Sequence, residues 1–551
     1  MIYFRLLLLI FLLSSAEKTN TSFNPLCKSF EKWYLKNHPV VSTYKNYKKY
    51  DDFYRKNDFK NNENYLLDLK RFYFELTQIN YKKLSNDNKV KYDRIKKTLL
   101  RYIYINEDLK EYEWKPSVKL IEIYSGIKYL LYYNSGTGLK PLKSRLSQIE
   151  EVLDQSLVNL SYISEIEYNY CKSIINSMIK VLDNIQFDID YQNKNYNDIV
   201  ESSILVKNKL IQYSDNLKSI MEQFKGNSKD DIFDDKHFKI ITESDYSIND
   251  TYLSAKDMLT SGHKKIFNNT IKIYLERNDE PIWVDYDDTL YVIQSVLNKI
   301  EYNNKINNFK YVEESFNKFD NSFYLNPKFS YYINSYDFFF LDEDLDIIIP
   351  SKNLSSNFQI NLPAVDISEV YSIEKDDFSF NKIQIDLLNA YKLYPGSGYI
   401  FNISLNSENL TYKIPNLATL RGLQRYSERI FIRTNKIATI EHQIIHQKNI
   451  MRDICACILD IEYNVNNISD SYMLDFLNKN CFLNDFESLK VINKIKNNHF
   501  GYSSINFLGY RKIIEIENKY LNDTNNDYIN FYNKILQNGI VDLENLSIPF
   551  E

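Results

Sequence analysis

Glycine is scarce in this 551-residue chain: 11 residues, about 2% where ~7% is usual. Eleven prolines, six histidines, five cysteines and three tryptophans are the other short supplies. Each shortage removes a class of chemistry. Phosphate-cradling loops need clustered glycines, and these are scattered, so a Walker or dinucleotide loop is not expected. Six histidines leave little material for a histidine-based metal site. The cysteines, Cys27, Cys171, Cys455, Cys457 and Cys481, form no Cys-x-x-Cys, so a zinc–thiolate cluster is not expected. Their number is odd, and one or two disulfides of undetermined pairing are compatible with it. Nor is there a charged arm. The 68 Lys+Arg against 73 Asp+Glu give a net charge of −5, which makes nucleic acid an unexpected partner.

What fills the chain instead is Tyr (47), Phe (33), Lys, Asn and Ile. That is the drift AT-biased codons supply, a property of the genome rather than of function. With 44% apolar and 26% charged residues, the composition is that of a globular protein of one large domain or two to three ordinary ones. The N-terminus reads as a secretory signal peptide over 1–16: one charge at Arg5, an apolar stretch from Leu6 to Leu13, then Ser14-Ser15-Ala16. Cleavage after Ala16 is expected; a retained signal anchor is the alternative. No later segment is long and apolar enough to span a bilayer. The mature chain is therefore expected to be secreted or lumenal. Ten Asn-x-Ser/Thr sequons, among them Asn159 and Asn545, are compatible with glycosylation.

Apolar periodicity predicts a helical N-terminal region over 17–224. Leu69, Phe72, Tyr73, Leu76 and Ile79 share one stripe; Ile175, Met178, Ile179, Leu182 and Ile185 share another. Residues 225–237, with Gly226, Asn227, Ser228 and several Asp, read as a possible linker. A C-terminal region over 238–551 follows, continuous in fold with the first. Within it, 329–380 changes texture. The runs ending at Ile333, Phe340 and Ile349 read as short strands, predicting a small antiparallel sheet in a mainly α protein.

One metal-like spacing stands out. His442-Gln443-Ile444-Ile445-His446 puts two imidazoles at i and i+4 on a helix, as in a zincin, but with Gln443 where the general-base Glu belongs. Two hydrogen-bonded helix histidines are the plainer reading.

The informative segment runs Leu387-Leu388-Asn389-Ala390-Tyr391-Lys392-Leu393-Tyr394-Pro395-Gly396-Ser397, followed by Leu420-Arg421-Gly422-Leu423-Gln424-Arg425-Tyr426-Ser427-Glu428. The pair resembles the domain-of-unknown-function 885 family, metallopeptidase-like helical proteins whose motifs read His-Glu-x-x-Pro-Gly-His and Glu-Gly-Trp-Ala-Leu-Tyr-x-Glu. Weaker matches follow in order along the chain: Trp33-Tyr34-Leu35 with Pro39 and Thr43; Trp114-Lys115-Pro116-Ser117; Cys455 to Asp460; Gly501, Gly509, Lys512 and Ile513; and Phe531 to Gly539. The resemblance implies a large multi-helix metallopeptidase-like fold and, for intact members, a bound zinc.

The departures decide the functional expectation. Relative to the family pattern, Tyr391 replaces the first zinc His, Lys392 the general-base Glu, Ser397 the second His and Arg421 the Glu expected as third ligand. Pro395, Gly396, Gly422, Tyr426 and Glu428 are kept. Two cations stand where a dication would sit, and zinc needs three or four anionic or neutral N, O or S ligands. Loss of the base alone costs about 10²- to 10⁴-fold in rate. No cofactor is therefore expected at Tyr391, Lys392, Pro395, Gly396, Ser397, Arg421 and Glu428.

Two readings of this relic stand: Lys392 and Arg421 pair with Glu428 and neighbours and close the site, or the cleft still binds a peptide whose carboxylate one of them receives. The leading functional expectation is a secreted, non-catalytic homologue that binds peptide or protein. Its rivals are an active metallopeptidase with His442 and His446 as ligands, and a structural secretory or surface protein that uses the fold as scaffold. An open, aromatic-lined cleft at Lys392, Ser397 and Arg421 favours binding; a packed one favours the scaffold.

Overall fold

In the computed structural model the described residues are 20–45, 47–132, 139–223, 233–277, 286–306, 348–349, 359–360, 380–392, 395–405, 407–435, 437–523 and 527–550. The expected signal peptide lies outside them, as does most of the expected linker. The principal helices are α1 (Asn20–Asn37), α2 (Phe59–Thr77), α3 (Asn86–Tyr104), α4 (Ser117–Tyr132), α5 (Glu165–Asp188), α6 (Tyr196–Gln223), α7 (Ile248–Arg277), α8 (Lys382–Lys392), α9 (Ser397–Leu405), α10 (Leu417–Thr434), α11 (Ile440–Asn466), α12 (Asp470–Cys481), α13 (Ile505–Asp523) and α14 (Tyr528–Gln537).

The helices start where the sequence supplies caps. Asp58, Ser85 and Ser164 each accept the backbone N–H three residues on, at the heads of α2, α3 and α5. Leu69, Phe72 and Leu76 then bury one face of α2, and Ile175, Met178, Leu182 and Ile185 one face of α5. These stripes build two apolar cores in the N-terminal half, and a third and larger one fills the C-terminal half. The cores cross the 225–237 boundary: Val90 and Tyr104 of α3 belong to the C-terminal core, and Leu410 and Ile414 to an N-terminal one. The helix Asp235–Thr242 starts inside the stretch expected as linker.

The small antiparallel sheet expected over 329–380 is not found. Among the described residues, strand pairing amounts to Lys305–Ile306 with Phe380–Asn381 and Ile348–Ile349 with Gln359–Ile360, two residues each. Such contacts make no layer, because a stable sheet needs three or more strands with a buried face. The remaining residues of that stretch lie outside the described ones. The protein is mainly helical.

Two of the few glycines sit at one helix crossing. Where α10 meets α13, a Cβ on Gly422 would lie 2.3 Å from the Gly509 carbonyl carbon, and one on Gly509 would lie 1.8 Å from the Ala418 oxygen. The backbones touch, so only hydrogen fits. This crossing holds α10, the helix that carries Arg421 and Glu428, against the C-terminal core. Cys455 of α11 is bridged to Cys481 of α12, and Cys27, Cys171 and Cys457 are buried free thiols.

Candidate functional site

The relic residues come together as their spacing implied, on the end of α8, the loop after it, the start of α9 and one face of α10. They are shut in: Ser397 is 0% exposed, Glu428 2%, Arg421 3%, Lys392 4% and Tyr391 8%. Gly396 is pressed on the end of α8, where a Cβ would stand 2.0 Å from the Tyr391 carbonyl oxygen. The Pro395 carbonyl accepts the Tyr532 hydroxyl at 2.7 Å.

The ion pairs differ from those expected. Glu428 is paired with Arg425, one turn earlier on α10, rather than with Lys392 or Arg421. Arg425 also donates Nε to Asp453 Oδ2 of α11 at 2.8 Å, and its guanidinium lies 4.7 Å from the Tyr391 ring. Burial alone would push the Asp453 carboxyl up; the Arg425 guanidinium outweighs it and holds Asp453 below the usual carboxylate range. Arg421 donates to Gln424 Oε1 at 3.1 Å, and Gln424 donates to Ser397 Oγ at 2.6 Å, which ties α10 to α9. Lys392 has its ammonium 5.4 Å from the Tyr391 ring centroid.

The zincin-like pair is committed elsewhere. His442 is the N3 residue of the α11 capping box: its Nδ1 accepts the Thr439 N–H at 3.0 Å, so Nε2 carries the hydrogen and faces Asp386 Oδ2 of α8 at 3.2 Å. His446 Nδ1 bonds Glu428 Oε2 at 2.7 Å, and burial lowers its pKa against the pull of Glu428. The i, i+4 spacing thus serves a cap and a helix–helix bond, with the two rings turned to carboxylates of different helices.

Among the described residues no three His, Cys, Asp or Glu are grouped so as to hold a metal ion. At the relic, the donor set itself does not fit zinc. Phenol, ammonium, hydroxyl and guanidinium occupy the ligand and base positions, and the nearby carboxylates are already paired with Arg425.

The open space lies next to this locus. A cavity of about 480 Å³ is enclosed by segments from both halves: α1, the short helix Pro39–Tyr44 and the segment that follows it, α2 to α4, Ile241 to Glu243, the first turn of α10 and residues 498–502. It adjoins the relic through Leu417 and Leu420 of α10 and through Tyr502, which lines the cavity and interacts with Arg421. Val118, 45% exposed, is part of the lining, so the cavity reaches the surface.

Its wall is rich in cations and in tyrosine. Seven Lys and Arg, including Arg55, Arg101, Lys115 and Lys119, face three carboxylates, Glu111, Glu122 and Glu243. Three of these contacts are internally balanced: Lys119 with Glu122 at 2.5 Å, Arg94 with Glu243 at 2.6 Å, and Glu111 with His499. Burial raises the Glu111 carboxyl, but His499 and Lys115 outweigh it and hold it down at about 2. Burial and Arg55 push His38 down to about 3, and burial alone brings Lys45 to about 8. The wall therefore resists further positive charge.

Sequence reasoning named none of these residues as a site. Tyr34 and the Lys115-Pro116-Ser117 run entered it only as fold matches, and both line the cavity. His38 and His499, two of the six histidines, were the remaining signal.

No family model and no curated protein matches the chain. Two solved structures match over nearly its whole length, each described as that of a "putative lipoprotein". One, of unknown function, from Shewanella oneidensis, has a TM-score of 0.68 at 16% identity and covers 96% of this chain and 100% of its own. The other, from Colwellia psychrerythraea, has a TM-score of 0.67 at 12% identity and covers 96% and 98%. At these identities the likeness is one of fold. No helix among the described residues is long and apolar enough to cross a membrane.

Proposed function

We propose that this chain is a secreted or surface-held, non-catalytic relative of the metallopeptidase-like 885 family that binds a peptide-sized ligand in the cavity beside the relic site. One observation carries the reading: the residues that stand for the zinc site are buried and bonded to one another, while an open, tyrosine-lined cavity adjoins them through α10 and Tyr502. A volume of about 480 Å³ lies within the range of small-ligand sites. The signal-like N-terminus and the lipoprotein description of the two structural neighbours support the location.

The test is titration of a fluorescent mixture of short peptides into the mature chain, repeated with Val118→Trp, which places bulk at the exposed rim. Saturable binding that the substitution weakens is expected. Binding unchanged by Val118→Trp would remove the cavity from the account. The packing at Lys392, Ser397 and Arg421 by itself favours the second reading, a structural scaffold, which predicts no saturable binding at all.

A further inference from the structure

We infer that the cavity recognises the C-terminal end of its ligand, with Arg55 receiving the free carboxylate and Asn57 the adjoining amide N–H. The inference rests on the cavity being the ligand site.

Arg55 is a cation of the wall whose direct contacts are an amide and an aromatic ring. It lies in the segment between Asp51 and α2, is half-buried, and lines the cavity. Its Nη1 donates to Asn62 Oδ1 at 3.3 Å, and its guanidinium carbon sits 4.4 Å from the Tyr65 ring centroid. Among the described residues no carboxylate lies within ion-pair distance of it; Glu122, whose carboxyl feels the Arg55 charge, is bonded to Lys119. A guanidinium offers five N–H donors in a planar fork, and a carboxylate is the anion that fork matches in a bidentate pair. Stacking on Tyr65 fixes the plane of the fork before any ligand arrives.

The second observation is independent of charge. Asn57, two residues on, is 6% exposed and lines the same cavity, and its Oδ1 has no hydrogen-bond partner. Its backbone is satisfied: the N–H donates to Gln155 Oε1 at 3.0 Å, and the carbonyl accepts Asn62 Nδ2 at 2.8 Å and Asn159 Nδ2 at 2.6 Å. The side-chain acceptor is left over. Ser117 Oγ and Ser125 Oγ of α4, on fully buried residues of the lining, are also without a partner. Buried polar atoms are rarely left unpaired, and three on the wall of one cavity point to a ligand that pairs them.

A guanidinium beside an orphan acceptor complements a peptide terminus, –NH–CHR–COO⁻, better than a lone monocarboxylate, which has no N–H to donate. Tyr102, in ring contact with both Tyr34 and Tyr65, supplies with them an apolar surface beside Arg55 for the side chain R.

The experiment titrates the mature chain with the tripeptide acetyl-Leu-Tyr-Phe as free acid and as C-terminal amide, with inorganic phosphate as competitor, in wild type and Arg55→Met. In wild type the acid should bind about tenfold or more tightly than the amide, the range of a charge-assisted hydrogen bond, and Arg55→Met should erase that difference. Acid and amide binding equally would overturn the carboxylate assignment while leaving the cavity as a ligand site. A preference for acid that survives in Arg55→Met would overturn the choice of Arg55. Phosphate binding with no peptide bound would overturn the ligand class. Failure of every probe would overturn the binding reading with it.

Discussion

The relic site and the cavity are neighbours on α10, yet they handle charge in opposite ways. In the relic, Arg425 spans Glu428 and Asp453, and Gln424 ties Arg421 to Ser397. In the cavity, Arg55 keeps a ring and an amide for company, and three polar side-chain atoms go unpaired. Buried charge is tolerated only when matched, so the closed site reads as structure. Unmatched polar groups on the lining of a cavity read as provision for something else. One locus can be closed by ion pairs while the space beside it persists, because the cavity takes the first turn of α10 and the closed site the turns that follow.

The largest effect that can break this comparison is at Arg425. Arg425→Met leaves Glu428 and Asp453 buried without their cation, and should cost about 3–5 kcal/mol, read from denaturant unfolding. A loss below about 1 kcal/mol would mean that the relic is not held by ion pairs. Next comes Gly509→Ala, which forces α10 and α13 apart; a loss of about 1–3 kcal/mol or more is expected from the collision with Ala418.

A smaller effect, but one of definite sign, lies at Asp460 of α11. Its buried carboxyl accepts the Gly501 N–H at 3.0 Å, and burial pushes its pKa up to about 8 from 3.8. The folded chain thus holds a proton there that the unfolded chain releases, so this group's contribution to stability falls as pH rises from about 4 to about 8. Asp460→Asn should flatten the decline of Tm over that interval relative to wild type. A parallel pair of profiles would contradict it. His442→Ala should cost about 1 kcal/mol, the worth of a helix cap. Arg55→Met should change stability by about 0.5 kcal/mol or less, since its partners are neutral and it is only half-buried, while its effect falls on binding.

Much of the fold could be read from periodicity, because stripes such as Leu69, Phe72 and Leu76 bury whatever they pack against. The sheet could not. The β-propensity of Tyr, Phe and Ile runs is a statement about half-buried pleated surfaces, and it has no force until a third strand and a packing face exist. At the relic, the motif drew attention to Lys392 and Arg421 as partners of Glu428 and its neighbours, and the cation bonded to Glu428 is Arg425. The i, i+3 relation of Arg425 to Glu428 was visible in the sequence and outside the motif. The cavity was illegible for a different reason. Its walls come from segments around 34, 55, 118, 243, 420 and 500, which no local pattern joins.

The central claim, that the relic is closed and function has moved beside it, is tested most directly by titrating the purified mature chain with zinc while following cleavage of a peptide library. The account predicts no stoichiometric zinc and no chelator-sensitive cleavage. One zinc per chain, with cleavage lost on chelation and in His442→Ala/His446→Ala, would contradict it.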